Sequence, residues 1–182
     1  MNKRIKIIAL IGIMSAFSFV LYAFEISVGF ILPSAAFLKI DFSDIPVFLT
    51  GLSLGPAAGA LVALIKNIFH ISITKEPALS GEIANFFASV SFLIPLCIWR
   101  FKNDKKAVMI LSILIAIVSV TITMIFVNYF ITLPLYGIEK ALRLPMIYAT
   151  FVPFNIIRGA IMGVVIYIVY PRLRKTISKF VN

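Results

Sequence analysis

The chain has 182 residues, of which 62% are hydrophobic and 13% are charged, and its formal net charge is +10. Soluble domains are about 45–50% apolar and about 25% charged. A soluble core of this size could not hide so much apolar surface, so the composition predicts a protein embedded in a lipid bilayer. The single cysteine excludes a disulfide framework, and the single histidine argues against a histidine-rich metal site or a serine–histidine relay.

The first apolar run, 5–24, is long enough to cross a bilayer as one helix. A cleavable signal peptide is the alternative, but the run is long for one and no pair of small residues closes it as a cleavage site would. The long connection that follows ends in an alternating segment at 38–42, which predicts extended structure. Ser43 or Asp44 is then predicted to cap the next helix, with Pro46 near its first turn.

The stretch 45–73 could form one long helix or two short ones, because Gly55 and Pro56 interrupt it. Basic residues in short loops favour the cytoplasm, and most of the 17 basic residues lie at 3–6, 100–106 and 172–179. These three clusters share one side only if 45–73 crosses the membrane twice. Most of the excess positive charge then reflects topology, and no nucleic-acid partner is expected.

We therefore predict an all-α membrane protein that forms a single domain over 1–182. It is a bundle of six transmembrane helices with a long first external loop and both termini in the cytoplasm. The helices are predicted at 5–24, 45–54, 56–73, 83–99, 107–131 and 147–170.

Polar side chains inside a bilayer are costly, so each one is a candidate functional residue. At a rise of about 1.5 Å per residue, the predicted topology places Asn85, Asn128, Asn155 and Arg158 in the outer half of the membrane. Asn155 and Arg158 share a helix face, which indicates a polar binding pocket closed from the inside. Asn85 and Asn128 could instead cap helix ends or face headgroups. Arg158 could instead form a buried ion pair, for which the acidic candidates are Asp41, Asp44 and Glu82.

Several other residues leave alternatives open. Lys66 could serve an ion pair or a ligand, and His70 is predicted to be an interfacial residue. Pro153 lacks an N–H group and is predicted to kink the last helix, while Pro134 is predicted to end the fifth. Aromatic residues near the outer face could form an interfacial belt or a platform for a flat ligand; they include Phe37, Tyr136 and Phe151.

We find no catalytic sequence motif in the chain. No segment matches the phosphate-binding pattern G-x-x-x-x-G-K-[ST], so the chain is not expected to hydrolyse ATP by that route. No carboxylate pair or metal-ligand spacing is present either, and we predict no catalytic residue and no metal site. Gly12 and Ala16 are small residues four apart, which lets another helix approach closely. That helix could belong to the same bundle or to a partner membrane protein.

The order of several motifs resembles a known family. The segments LKIDFSDIP at 38–46, GPAAG at 55–59 and ALIKN at 63–67 resemble the substrate-binding (S) components of energy-coupling factor (ECF) vitamin transporters. The segments 128–137 and 153–159 are similar to the riboflavin-specific RibU type of that family. The similarity runs in order along essentially the whole chain.

This resemblance implies a function in vitamin uptake across the plasma membrane of a prokaryote. The chain would span the membrane several times and bind riboflavin from outside, as the transported ligand and not as a cofactor. Its partners would be a membrane-embedded coupling subunit, two ATPase subunits and the surrounding lipid. The family's small-residue motif on the first helix, which docks the coupling subunit, matches Gly12 and Ala16, with glycine in place of the usual first alanine.

The resemblance also implies a set of ligand contacts. In this chain they fall on Phe37, Leu38, Lys39, Asn85, Asn128, Asn155 and Arg158. Tyr136 and Phe151 are expected to help cover the flavin ring. Arg158 stands at a position associated with lysine, and Lys39 stands where a small hydroxyl residue is expected.

Two other functions remain as alternatives. One is an S component for a different vitamin. The other is a small membrane enzyme or stand-alone transporter that uses Arg158 and Lys66 to bind an anionic substrate.

Overall fold

The computed structural model describes residues 2–30, 38–102 and 105–181. Within these ranges the chain folds almost entirely into helices. The helices are α1 (Lys3–Ala23), α2 (Asp44–Leu54), α3 (Pro56–His70), α4 (Ser80–Lys102), α5 (Lys106–Val127), the short α6 (Leu133–Leu135) and α7 (Lys140–Met146), and α8 (Val152–Val181). Two-residue strands β1 (Ile26–Ser27) and β2 (Lys39–Ile40) pair in antiparallel fashion in the first connection.

The first connection is extended where the alternating pattern predicts it. Ile26 of β1 lies opposite Ile40 of β2, so the end of this connection is tied back to the end of α1. The observed N-terminus of α2 differs from the predicted one. Ser43 stands at the capping position but makes no side-chain capping bond, since its backbone is helical and not extended as in a typical capping residue. Its hydroxyl accepts a hydrogen bond from Lys66. Phe37 lies outside the described residues.

Helix α2 occupies the centre of the bundle. It packs against α1, α3, α4 and α8, and most of its side chains are buried. It ends at Gly55, whose φ of 107° is a left-handed value that favours glycine, and Pro56 begins α3 directly afterwards. The predicted break at Gly55 and Pro56 therefore separates two helices.

Four stretches of the described residues are long and apolar enough to cross a membrane. They are Lys3–Ala23, Pro77–Ile98, Lys106–Leu135 and Lys140–Phe180. Helices α2 and α3 have 11 and 15 residues, fewer than the roughly 20 that a full crossing needs. Apart from the short α6 and α7, the described residues form six helices, which agrees with the predicted number. That each of the six crosses the membrane, and that both termini are cytoplasmic, stay predictions.

Two π-helical turns distort the long helices near one end of the bundle. The turn Asn128–Thr132 follows α5, and the turn Ile147–Phe151 precedes α8. Each ends two residues before a proline, Pro134 or Pro153. A proline has no N–H to donate to the carbonyl four residues back, and a shift to bonds between residues five apart accommodates that loss. The predicted kink at Pro153 thus takes the form of a π turn, and the last helical stretch runs beyond 147–170 at both ends.

Close packing of α2 against α3 depends on Gly59. A Cβ atom added there would lie 2.7 Å from Cδ2 of Leu93 and 2.8 Å from the backbone oxygen of Val47. We expect Gly59→Ala to destabilise the fold by about 1–3 kcal/mol, because a backbone atom cannot yield as a side chain can. Thermal unfolding in detergent measures this. The matched control is Gly12→Ala in α1, where no atom lies within 4 Å, and equal midpoints for the two variants would contradict the prediction.

Candidate functional site

A cleft opens at one end of the bundle and encloses about 700 Å³ of atom-free space, including its mouth. Every described member of the predicted contact set lines the cleft: Leu38, Lys39, Asn85, Asn128, Tyr136, Phe151, Asn155 and Arg158. The sequence-based set is thus brought together in space, although lining a cleft does not by itself make a residue a ligand contact.

The cleft and the basic clusters lie at opposite ends of the same helices. In the cleft, Tyr22 lies at the end of α1 and Asn128 directly follows α5, while Asn85 and Asn155 lie near the beginnings of α4 and α8. The basic residues occupy the other ends of these helices. They include Lys3, Arg4 and Lys6 at the start of α1, Lys105 and Lys106 at the start of α5, and Arg172, Arg174, Lys175 and Lys179 in the last part of α8.

A buried ion pair lies beneath the cleft. Nζ of Lys66 is 2.6 Å from Oδ1 of Asp44 and donates a second hydrogen bond of 2.6 Å to the Ser43 hydroxyl. The hydroxyl of Ser89 also donates to Asp44. Of the two roles considered for Lys66, the structure shows ion pairing, since its side chain is fully buried.

Arg158 belongs to the same network and also reaches the cleft. Its Nη2 atom lies 3.1 Å from Oδ2 of Asp44 and 3.6 Å from Oδ2 of Asp41. Its side chain is 11% exposed, and the residue lines the cleft. The buried ion pair considered as an alternative for Arg158 is therefore present, and it holds the guanidinium at the cleft wall. Five N–H donors on a planar group allow Arg158 to serve both the carboxylates and a ligand.

The three asparagines of the cleft differ in how their side chains are bonded. Asn155 donates through Nδ2 to the backbone oxygen of Phe151 at 2.8 Å, and Oδ1 of Asn85 lies 3.4 Å from the donor hydroxyl of Ser89. Asn128 is 1% exposed, and neither its Nδ2 nor its Oδ1 has a hydrogen-bond partner among the residues that the structure describes. An unpaired buried amide is costly, so Asn128 retains unused hydrogen-bonding capacity at the cleft wall.

Charged side chains connect three segments across the mouth of the cleft. Nζ of Lys39 lies 2.5 Å from Glu25 and 3.0 Å from Glu76, and the Tyr136 hydroxyl donates to Glu76. Burial opposes the charged form of Lys39, but hydrogen bonds to Glu25 and Glu76 outweigh it and raise the pKa of Lys39. Burial, together with Glu76, raises the pKa of Tyr136. Lys39 thus remains charged at neutral pH and joins β2 to the segments after α1 and before α4.

An aromatic stack that the sequence did not predict lies in the cleft wall. The rings of Tyr22 and His70 are parallel within 11° and their centroids are 3.6 Å apart. His70 is 4% exposed, and its Nδ1 lies 2.8 Å from Oε1 of Glu82. The expectation that His70 is interfacial was wrong. The available signal was its spacing of four residues from Lys66, which places both on one face of α3.

The small-residue pair of α1 faces outward. Gly12 and Ala16 are exposed, and no atom lies within 4 Å of a Cβ built on Gly12. The pair therefore does not serve close helix packing inside the bundle, which was one of the two roles considered. The pair forms a surface that another chain could cover.

Comparison with known proteins identifies the family. Residues 6–177 match the family model described as the substrate-specific component of ECF transporters. The chain belongs to this family of S components. A solved structure described as "Structure and mechanism of the S component of a bacterial ECF transporter" superposes with a TM-score of 0.80 and 34% sequence identity. The superposition covers 95% of this chain and 98% of that one.

Two bacterial relatives of this chain are named as riboflavin transporters. The chain is 35% identical to "Riboflavin transporter RibU" of Staphylococcus aureus over 98% of this chain and 94% of the relative. It is 30% identical to "Riboflavin transporter FmnP" of Bacillus subtilis over 97% of this chain and 96% of the relative. The resemblance to the RibU type is confirmed. These relatives are transport proteins by name, which agrees with the expectation that this S component is not an enzyme.

Asp44 provides a test of the buried network. Asp44→Asn removes the charge that balances Lys66, and we expect it to destabilise the fold by about 3–5 kcal/mol because a buried cation is left unpaired. Thermal unfolding of the detergent-solubilised protein measures the loss. Adding Lys66→Met to Asp44→Asn should recover part of it, and Glu139→Gln at an exposed position is the control. An Asp44→Asn midpoint equal to that of Glu139→Gln would refute the role of the network.

Proposed function

We propose that this S component binds riboflavin in the cleft and, with a coupling subunit and two ATPase subunits, delivers it to the cytoplasm. The observation that carries the proposal is the buried amide of Asn128, which lines the cleft without a partner in the described residues. The names of the RibU and FmnP relatives support riboflavin as the ligand over another vitamin.

The chemistry of the cleft suits a flavin. Riboflavin has a flat ring with an imide edge of donors and acceptors, and a tail of hydroxyl groups. The side chains of Asn128 and Asn155 carry both donors and acceptors, and Arg158 adds further donors. Apolar cover for the ring is available from Leu38 and Phe151, both of which line the cleft. In this proposal the asparagines and Arg158 bond the polar atoms of the ligand.

The arrangement of charge supports uptake from outside. Basic residues in short loops favour the cytoplasmic side, and they lie at the end of the bundle opposite the cleft. The cleft of this proposed multi-pass plasma-membrane protein therefore opens to the exterior. Release to the cytoplasm requires energy, and the ATPase partners would supply it.

Substrate binding tests the proposal directly. We expect purified protein to quench the fluorescence of added riboflavin in a saturable titration. Asn128→Ala should weaken binding by about 1–3 kcal/mol, because polar atoms of the ligand lose their partners. Asn67→Ala is the matched control, since Asn67 is also buried but bonds its own helix at Ala63 and does not line the cleft.

The outcomes separate the function from the assignment of the site. A parent protein that takes up no riboflavin, or binds another vitamin in its place, would contradict the proposed ligand. Riboflavin binding that Asn128→Ala and Asn67→Ala leave equally unchanged would contradict the placement of the ligand against Asn128.

The outward face of α1 is the proposed docking surface for the coupling subunit. A bulky side chain in Ala16→Trp should prevent a close helix–helix approach and abolish co-purification with the coupling subunit, while riboflavin binding persists. Ile122→Trp is the control, because Ile122 is 51% exposed on a different helix, α5. Assembly that tolerates Ala16→Trp as well as Ile122→Trp would disprove this surface.

A further inference from the structure

The π turn Asn128–Thr132 contains a second buried polar side chain that faces the cleft. Thr132 is 4% exposed and lines the cleft four residues after Asn128. Its hydroxyl has no hydrogen-bond partner among the described residues. Thr132 was not among the residues predicted from the sequence. A threonine in an apolar helix ordinarily bonds its own backbone.

Two other helical threonines of this protein follow that ordinary pattern, whereas the hydroxyls of Ser15 and Ser53 also have no partner among the described residues but do not line the cleft. Thr50 donates to the carbonyl of Pro46 at 2.7 Å, and Thr121 donates to the carbonyl of Ile117 at 2.8 Å. Each bond reaches four residues back along the helix. Thr132 lacks such a bond within the part of the chain that the structure describes, and it differs from Thr50 and Thr121 in lying in a π turn.

The π turn changes the backbone hydrogen bonds next to Thr132. In it the hydrogen-bond ladder is shifted by one residue, so that the carbonyl of Asn128 accepts the N–H of Leu133, five residues ahead. The hydroxyl of Thr132 makes no bond to this carbonyl. Proline at position 134, which cannot donate a backbone N–H, favours the shift. Pro134 thus favours the distortion in which the unpaired hydroxyl of Thr132 is found in the described structure.

The asparagines show the same contrast. Asn67 and Asn155 each donate through Nδ2 to the carbonyl four residues back, at 2.7 Å and 2.8 Å. Asn128 makes no such bond. Among the described residues, the π turn therefore presents two unpaired polar groups, an amide and a hydroxyl, at one wall of the cleft.

We infer that Thr132 is a further substrate contact, and that the π turn recognises a donor–acceptor edge of the ligand through Asn128 and Thr132 together. This inference rests on the proposed binding of riboflavin. A hydroxyl and a primary amide each offer a donor and an acceptor, so the pair matches a heterocycle edge on which carbonyl and N–H groups alternate. Single π turns of this kind occur frequently at functional sites.

Loss of the Thr132 hydroxyl should have an effect that loss of a structural hydroxyl would not. Without ligand, the hydroxyl of Thr132 is buried and unsatisfied, which disfavours the free protein. Replacing it with a methyl group of similar shape in Thr132→Val should leave the thermal stability of the ligand-free protein unchanged or raise it. The same change should weaken riboflavin binding about 5- to 100-fold, as expected for a lost hydrogen bond to a buried ligand.

Three variants test whether the Thr132 hydroxyl contacts the substrate. Thr132→Val removes the hydroxyl, whereas Thr132→Ser keeps it and should bind riboflavin within about threefold of the parent, a difference smaller than one hydrogen bond. Thr50→Val is the matched control, because Thr50 is fully buried, bonds its own helix and does not line the cleft. Fluorescence titration with riboflavin gives the affinity, and thermal unfolding without ligand gives the stability.

Each result distinguishes the inference from the proposed function. Weaker binding by Thr132→Val with undiminished stability of the free protein, restored by Thr132→Ser, supports the contact. Unchanged affinity in Thr132→Val, or a loss of affinity matched by a loss of stability, overturns it while the parent still binds riboflavin. A parent protein that does not bind riboflavin refutes the proposed function itself.

Discussion

The carboxylate of Asp44 bonds side chains from three other helices. It contacts Lys66 of α3, Ser89 of α4 and Arg158 of α8, while its own helix α2 fills the centre of the bundle. Charges so deeply buried are costly unless they are paired and hydrogen-bonded, and here one acid joins two cations. The position of Asp44 therefore determines how four helices meet beneath the cleft, and it holds Arg158 against the cleft wall.

Three polar side chains that line the cleft, Asn128, Thr132 and Asn155, differ in how far they are hydrogen-bonded. Asn155 uses one side of its amide within its own helix, whereas Asn128 and Thr132 use none of their side-chain bonding capacity in the described structure. Both unpaired side chains belong to the π turn that precedes Pro134. A low-dielectric surrounding makes unpaired groups expensive, so the free protein carries a cost that binding of a polar ligand removes. The charged groups around Asp44 are thus hydrogen-bonded, whereas Asn128 and Thr132 at the cleft are not. This difference is the physical basis of the proposed substrate site.

Much of this arrangement could be predicted from the sequence, and what could not has a common cause. Hydropathy and the break at Gly55 predicted the helices, and the cost of burying polar groups identified Asn128 and Arg158. Family resemblance added the expected ligand contacts of the first loop, which stay predictions. The bridging role of Lys39 and the buried stack of His70 were not predicted, because each depends on partners more than ten residues away in sequence that only the folded chain brings together. Pro134 signalled a distortion, but whether it would end a helix or shift its hydrogen bonds depended on tertiary packing.

The position of riboflavin in an experimental structure of the ligand-bound protein is the most direct test of the proposed site. We predict the flavin ring in the cleft between Leu38 and Phe151, with polar ring atoms within hydrogen-bond distance of both Asn128 and Thr132. We also predict that Arg158 keeps its contact with Asp44. A flavin bound elsewhere, or bound in the cleft with the Asn128 amide still unpaired, would contradict the proposed site.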